Sequence, residues 1–283
     1  MFKRRINWKA IGCGFTWLIS LSGLIVLMSF IDDRKNTTTC KTVKVDISGP
    51  QRYIERWEVN KLLTNGKSTL IGKPLRSLNI HQIEQRLQSN PFIEHAKVYT
   101  DIDGTMWVQI KQREPVLRVL NAFNQSFYID RNGLKMPVSN TFTANVLVAN
   151  GYIMESFSNK IDTLKTPLAK DLFKTALLIE KDTLWSQQIE QLYISSHADI
   201  ELVPRVGNHR IILGSADSLE TKLNNLLVFY KKALPKCGWN TYKTINLKYS
   251  NQIVCEKAIT DSTSKATKQA ISSTASLSST KKI

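Results

Sequence analysis

Val43, Val45 and Ile47 alternate with Lys44 and Asp46, a period of two that predicts a half-buried strand, closed by Ser48-Gly49-Pro50. Residues 52–63 then place Tyr53, Ile54, Trp57 and Leu62 near helical spacing, with Asn65-Gly66 as the stop. A second helix is predicted over 80–88, with Asn79 as N-cap and Ile80, Ile83 and Leu87 as its apolar stripe, before Ser89-Asn90-Pro91 breaks it. Strands follow at 93–99 and at 105–111, where Met106, Val108 and Ile110 alternate against Trp107, Gln109 and Lys111, and Asp103-Gly104 between them signals a tight turn. Strand, helix, helix, strand, strand over about 75 residues predicts an α+β unit, two helices on one face of a three-stranded sheet.

Beyond Pro115 the segments shorten. Strands are predicted at 116–120, 126–130, 134–137, 145–149, 192–196, 200–204 and 209–213, with Arg131-Asn132-Gly133 and Val206-Gly207-Asn208 as turns. Helices are predicted at 165–180, 185–191 and 217–233; in the first, Leu168, Leu172, Phe173, Ala176, Leu177 and Ile179 read as core packing. Residues 241–254 read as one continuous final strand. From Glu256 onward Ser, Thr, Lys and Ala dominate, too little apolar bulk to offset chain entropy, so 256–283 reads as a disordered tail.

One run fits neither unit. Residues 10–31 carry no charge, and a helix of that length spans about 33 Å, against a hydrocarbon core of ~30 Å. It predicts a transmembrane helix, with Trp8, Trp17, Leu24 and Phe30 as anchor residues. Lys3, Arg4, Arg5 and Lys9 precede it, while Asp32, Asp33, Arg34 and Lys35 cancel. The positive-inside rule puts the N-terminus in the cytoplasm and 32–283 outside. A cleaved signal peptide is disfavoured, because its apolar core would be ~7–15 residues with a small-residue cleavage site. The expected organisation is 1–9 cytoplasmic, 10–31 transmembrane, 32–41 spacer, 42–114 first domain, 115–255 β-rich domain and 256–283 tail.

The net charge of +16 invites a nucleic-acid reading, but there is no Arg/Lys-rich helix, zinc-finger spacing or RNP-like aromatic motif. A solvated basic surface beside an anionic membrane or wall polymer is the better reading. Cys13, Cys40, Cys237 and Cys255 match no metal-site spacing. A continuous strand over 241–254 would hold its ends about 40 Å apart, beyond disulfide reach, so Cys237 and Cys255 are expected free. Asp101 and Asp103 form a D-x-D of the kind that holds a metal and sugar nucleotide in type II membrane glycosyltransferases. Asn36-Thr37-Thr38 and Asn124-Gln125-Ser126 are sequons that would suit that alternative. Against it, the pair falls in a turn, where Asp serves local hydrogen bonding, and strands do not alternate with helices as a nucleotide fold needs. His81, His95, His197 and His209 have no second His or Cys near them. Neither a nucleophile elbow nor a phosphate-binding Gly loop is present. No catalytic residue, metal, cofactor or small-molecule substrate is expected.

Asn90-Pro91-Phe92-Ile93-Glu94-His95-Ala96-Lys97-Val98, then Val108-Gln109-Ile110, Arg113-Glu114-Pro115 and Tyr128-Ile129-Asp130-Arg131-Asn132-Gly133, following a basic N-terminus and one anchor, resemble the FtsQ family of cell-division proteins (DivIB in Gram-positive bacteria). The resemblance covers residues 1 to about 255. It implies a POTRA domain followed by the family's β domain and no enzyme activity. It implies a scaffold in the inner membrane at the division septum, recruiting FtsB- and FtsL-type partners (DivIC and FtsL elsewhere). In the family the last strand is an edge that accepts a strand from FtsB. The matching positions are Leu247, Lys248, Tyr249, Ser250 and Asn251, where Tyr249 would be the aromatic anchor.

Overall fold

The structure, a computed structural model, describes residues 14, 16–26, 38–49, 53–64, 69–249 and 252–258. Residues 16–26 are helical, with Trp17 and Leu24 exposed. Among the described residues no helix is long and apolar enough to cross a membrane. The rest of the apolar run, with Trp8 and Phe30, lies outside the described residues, as does the tail from residue 259. Two compact units follow from the contacts, dividing after Arg113.

In the first unit, β1 (Thr42–Ser48) pairs parallel with β3 (Thr105–Gln112), and β3 pairs antiparallel with β2 (Ile93–Thr100), giving the order β1-β3-β2. Helix α1 (Arg56–Thr64) buries Val59 and Leu63, and α2 (Ile80–Gln88) buries Ile83 and Leu87. Helix α2 packs on β2, and α1 on β1 and α2, so the predicted α+β arrangement is the one found. Asn79 is the N-cap: its side chain accepts from the Gln82 amide at 3.0 Å, satisfying a donor that the first turn cannot. Gln112, buried at the end of β3, accepts from the Tyr53 and Ile54 amides and so fixes the entry to α1.

Among the described residues the second unit is built on one mixed ten-stranded sheet. Its strands are β4 (Pro115–Leu120), β5 (Ser126–Asp130), β6 (Leu134–Pro137), β7 (Leu147–Gly151), β8 (Asp162–Thr163), β9 (Ile189–Ile194), β10 (Ile200–Pro204), β11 (Arg210–Gly214), β12 (Tyr242–Asn246) and β13 (Val254–Lys257). Their order is β13-β12-β11-β10-β9-β7-β4-β5-β6-β8. Among the described residues four helices accompany it: α3 (Pro167–Lys181), α4 (Thr183–Gln188), α5 (Leu219–Lys232) and α6 (Leu234–Cys237). Leu172, Ala176 and Ile179 of α3 and Leu223 and Leu226 of α5 share one core with Leu117, Phe127, Leu192 and Ile211 of the strands. The stripe on 165–180 is therefore core. Pro167 opens α3 behind Thr166, whose hydroxyl accepts from the Ala169 amide at 3.2 Å.

Three predicted elements change. The helix expected at 185–191 spans Thr183–Gln188, because Asp182 caps it by accepting from the Leu184 and Trp185 amides; the chain then turns extended at Ile189 to pair with β7 and β10. The single strand expected over 241–254 is two strands. Strand β12 pairs parallel with β11 only as far as Asn246, whose carboxamide then accepts from the Lys248 amide and turns the chain. The chain returns as β13, antiparallel to β12, and pairs the backbone groups on that side of β12. Glu256 and Lys257, assigned to the tail by composition, belong to this last strand.

Candidate partner-binding edge

Of the five residues singled out for partner binding, Leu247, Lys248 and Tyr249 are described, and they follow the end of β12 at Asn246. Leu247 extends the parallel ladder with its amide donating to Ile212 O at 2.8 Å, and it is 2% exposed in the core. The Lys248 ammonium bonds Asp199 at 2.9 Å. Tyr249 is 52% exposed, while Ser250 and Asn251 lie outside the described residues. Leu247 thus packs inward and Tyr249 stands out, just where the chain leaves β12.

Among the described residues β13 is an outer strand with no neighbour on its far side, one of the two ends of the sheet order (β8 is the other), and Val254 on it is exposed. Beside it Gln252 and Ile253 form a groove of about 340 Å³ with Asn225, Val228, Phe229 and Lys232 of α5. An edge strand supplies a ladder of backbone groups, and an adjoining apolar groove supplies a pocket for side chains. Pattern reading missed β13 because its four residues (VCEK) are too short to show a period.

The hairpin also overturns the separation expected for the two cysteines. Cys255 lies opposite Ile245 in the β12–β13 ladder, and Tyr242 of the same hairpin interacts electrostatically with both Cys237 and Cys255. The Cys237 interaction, with burial, raises the Tyr242 phenol above its ordinary pKa, and burial raises the Cys255 thiol. Cys40, Cys237 and Cys255 are free thiols.

The motifs that carried the family resemblance are structural staples. Asn90 Oδ1 accepts from the Phe92 amide at 2.9 Å, and the Phe92 ring stacks on Tyr53 at 5.5 Å. Asp130 is 1% exposed, and its carboxylate accepts from the Asn132 and Leu134 amides, closing the turn in which Gly133 takes φ 74°. Arg131 reaches Glu114 at 3.0 Å and Glu180 at 2.9 Å, so the Arg-Glu-Pro stretch and the Asp-Arg-Asn-Gly turn meet. Those two carboxylates hold the guanidinium above its ordinary pKa.

The D-x-D is a turn device. Asp101 Oδ1 accepts from the Ile102 amide at 2.8 Å and its carbonyl accepts from the Gly104 amide at 3.2 Å. Among the described residues no three His, Cys, Asp or Glu side chains cluster as a metal site would require. His209 is 2% exposed and bonds Tyr230 OH at 2.8 Å. Desolvation lowers its pKa, against a raising contribution from the Trp239 carbonyl.

An α+β unit of order β1-β3-β2, followed by a mixed sheet with its C-terminal strand at one edge, defines a POTRA-like unit joined to a β-rich unit. A family model described as a POTRA-like domain matches residues 38–111, and one described as FtsQ/DivIB, C-terminal related, matches residues 114–256. The chain belongs to the FtsQ/DivIB family. It is similar to the cell division protein FtsQ of Geotalea daltonii (24% identical over 212 residues, 72% of this chain and 75% of the relative). It is also similar to the FtsQ proteins of Rhodothermus marinus (24% over 204 residues, 69% and 71%) and Salinibacter ruber (21% over 189 residues, 65% and 71%).

Proposed function

We propose that this protein is a non-enzymatic scaffold of bacterial cell division. Residues 10–31 hold it in the inner membrane as a single-pass anchor, with the two units outside the cytoplasm at the septum. Its partners are FtsB/DivIC-like and FtsL-type proteins, and its work is to assemble the septal wall machinery. The observation that carries the reading is the outer edge of β13, in a chain whose family relatives are titled cell division proteins. A partner strand paired with β13 would complete its ladder, with Tyr249 and the α5 groove taking side chains on either side.

The glycosyltransferase alternative has no support, since Asp101 is engaged with its own turn. The test is co-purification from membranes with an FtsB-like coiled-coil protein, with and without residues 241–283. Loss on truncation, and weakening in Tyr249→Ala with an unchanged thermal melt, are expected. Retention of the partner by the truncated chain would refute the edge. A Tyr249→Ala melt that dropped sharply would make Tyr249 a packing residue instead.

A further inference from the structure

The segment by which the chain enters the first unit is held by two turns. The Cys40 amide donates to Lys73 O at 2.8 Å, its carbonyl accepts from the Gly72 amide at 2.7 Å, and the Leu75 amide donates to Thr38 O at 3.0 Å. The Lys41 amide donates to Gly104 O at 2.8 Å, and a side chain at Gly104 would collide with Thr39 O. Residues 38–41 therefore touch both the 69–75 turn and the β2–β3 turn, at the end of the sheet where β1 and β3 begin.

Each turn carries one large aliphatic side chain that faces away from the core. Ile71 is 57% exposed and Ile102 is 63% exposed. Among the described residues beyond residue 26, no large apolar side chain is more exposed than Ile102. Turn tips ordinarily carry Gly, Asn, Asp or Ser, which suit the backbone and meet water without loss. Backbone hydrogen bonds close both turns, from the Lys73 amide to Leu70 O at 3.3 Å and from the Gly104 amide to Asp101 O at 3.2 Å. The two isoleucines are thus held outward on fixed turns that grip the same four residues, which lowers the ordering cost of a contact.

The length of the chain says what meets them. Ile31 ends the apolar run and precedes Thr38 by seven residues, a reach of at most about 25 Å at ~3.3–3.6 Å per residue. With residues 10–31 in the bilayer, the end of the first unit that receives the chain is tethered beside the lipid headgroups, and Ile71 and Ile102 stand on that end. Over residues 38–41, 69–75 and 100–105 the charged residues are Lys41, Lys73, Asp101 and Asp103, which cancel. Net charge therefore neither draws this end to an anionic surface nor repels it, and the contact falls to the apolar side chains. Two suffice, because the tether already supplies a high local concentration of lipid.

We infer that the first unit docks on the phospholipid surface through Ile71 and Ile102, which enter the boundary between headgroups and acyl chains. The inference rests on the reading of residues 10–31 as the anchor.

The test uses the full chain in vesicles of phosphatidylethanolamine and phosphatidylglycerol. Cys13, Cys237 and Cys255 are changed to Ser, and the buried Cys40 stays. An environment-sensitive fluorophore is placed on Ile102→Cys or, as the control, on the exposed Ser89→Cys, which precedes the start of β2 at the opposite end of the sheet. Lipids with a nitroxide just below the headgroup should quench the probe at 102 several-fold more than the probe at 89, equally at low and high salt. Ile71→Asp in the chain labelled at 102 should cut that quenching by about half or more at an unchanged thermal melt, which partitioning of the probe by itself would not do. If Ile71→Asp lowers the melt, Ile71→Ser decides. Equal quenching at the two positions, quenching at 102 that the residue 71 variants leave unchanged, or quenching that salt abolishes would each overturn the inference. A probe at 102 that lipid does not reach but a protein partner covers would overturn it too. Retention of the chain after an alkaline wash checks the anchor separately. A chain that washes off refutes the anchor and the docking together, whereas a chain that stays with 102 unquenched refutes the docking alone.

Discussion

The ion pair of Lys135 and Glu155 is the sharpest place to test the fold of the second unit. Both side chains are 1% exposed, with Nζ to Oε1 at 2.7 Å. Glu155 also accepts from the Lys165 amide at 3.2 Å, the Thr166 amide at 2.8 Å and the Thr166 hydroxyl at 2.7 Å. It therefore joins β6 to the segment that opens α3. Burial alone would raise the pKa of this carboxyl; the hydrogen bonds from Lys135 and Thr166 outweigh it, and the net shift is downward. Lys135→Met removes the counter-charge and leaves a carboxylate buried with only neutral donors. Breaking a buried pair in this way costs about 3–5 kcal/mol, or roughly 6–20 °C in the melting temperature of a unit this size. The double variant Lys135→Met/Glu155→Gln should recover much of that loss, because no uncompensated charge remains.

Acid supplies an independent sign. Because the folded pKa of Glu155 is depressed, its stabilisation is fully present above the unfolded value near 4.3 and is lost as pH falls through the folded value. The gap between wild type and Glu155→Gln should therefore close in acid. Urea denaturation of the full chain, followed by tryptophan fluorescence, reads both effects. A Lys135→Met loss under about 1 kcal/mol, or a double variant equal to the sum of the singles, would refute the reasoning.

Two further outcomes are expected. His209 has its pKa lowered by burial, so the unfolded chain binds a proton that the fold refuses; stability should fall below about pH 6.5, by up to ~1.4 kcal/mol per pH unit until the folded value is reached, and His209→Gln should flatten that profile in pH-dependent melts. Gly151 takes φ 101°, and a Cβ there would collide with the Ile194 backbone, so Gly151→Ala should open the β7–β9 pairing and abolish the cooperative melt, whereas Gly72→Ala, at φ 90° with no atom within 4 Å, should cost only the strain of its backbone, about 1–2 kcal/mol.

Local signals carried the first unit far. The alternation of Met106, Val108 and Ile110, the Asn79 cap and the Asn90-Pro91 break each act within a few residues, so their consequences were legible without the fold. The apolar stripe of α3 was legible for the same reason. Cys237, Cys255 and Tyr249 were not. Their surroundings depend on where β12 stops, and that is decided by the length of β11 beside it and by the Asn246 turn, neither of which leaves a periodic mark. The two carboxylates that Arg131 binds, and the burial of Glu155, likewise come from segments far apart in the chain.

By itself, then, the sequence determined most of the elements, the two units and the family, because periodicity, caps and turns are short-range physics. Only the tertiary structure decided which strand is the edge, which side chains stand outside it and which charges lie buried. Those depend on non-local strand pairing, and a pairing shifted by one residue would turn every side chain to the opposite face.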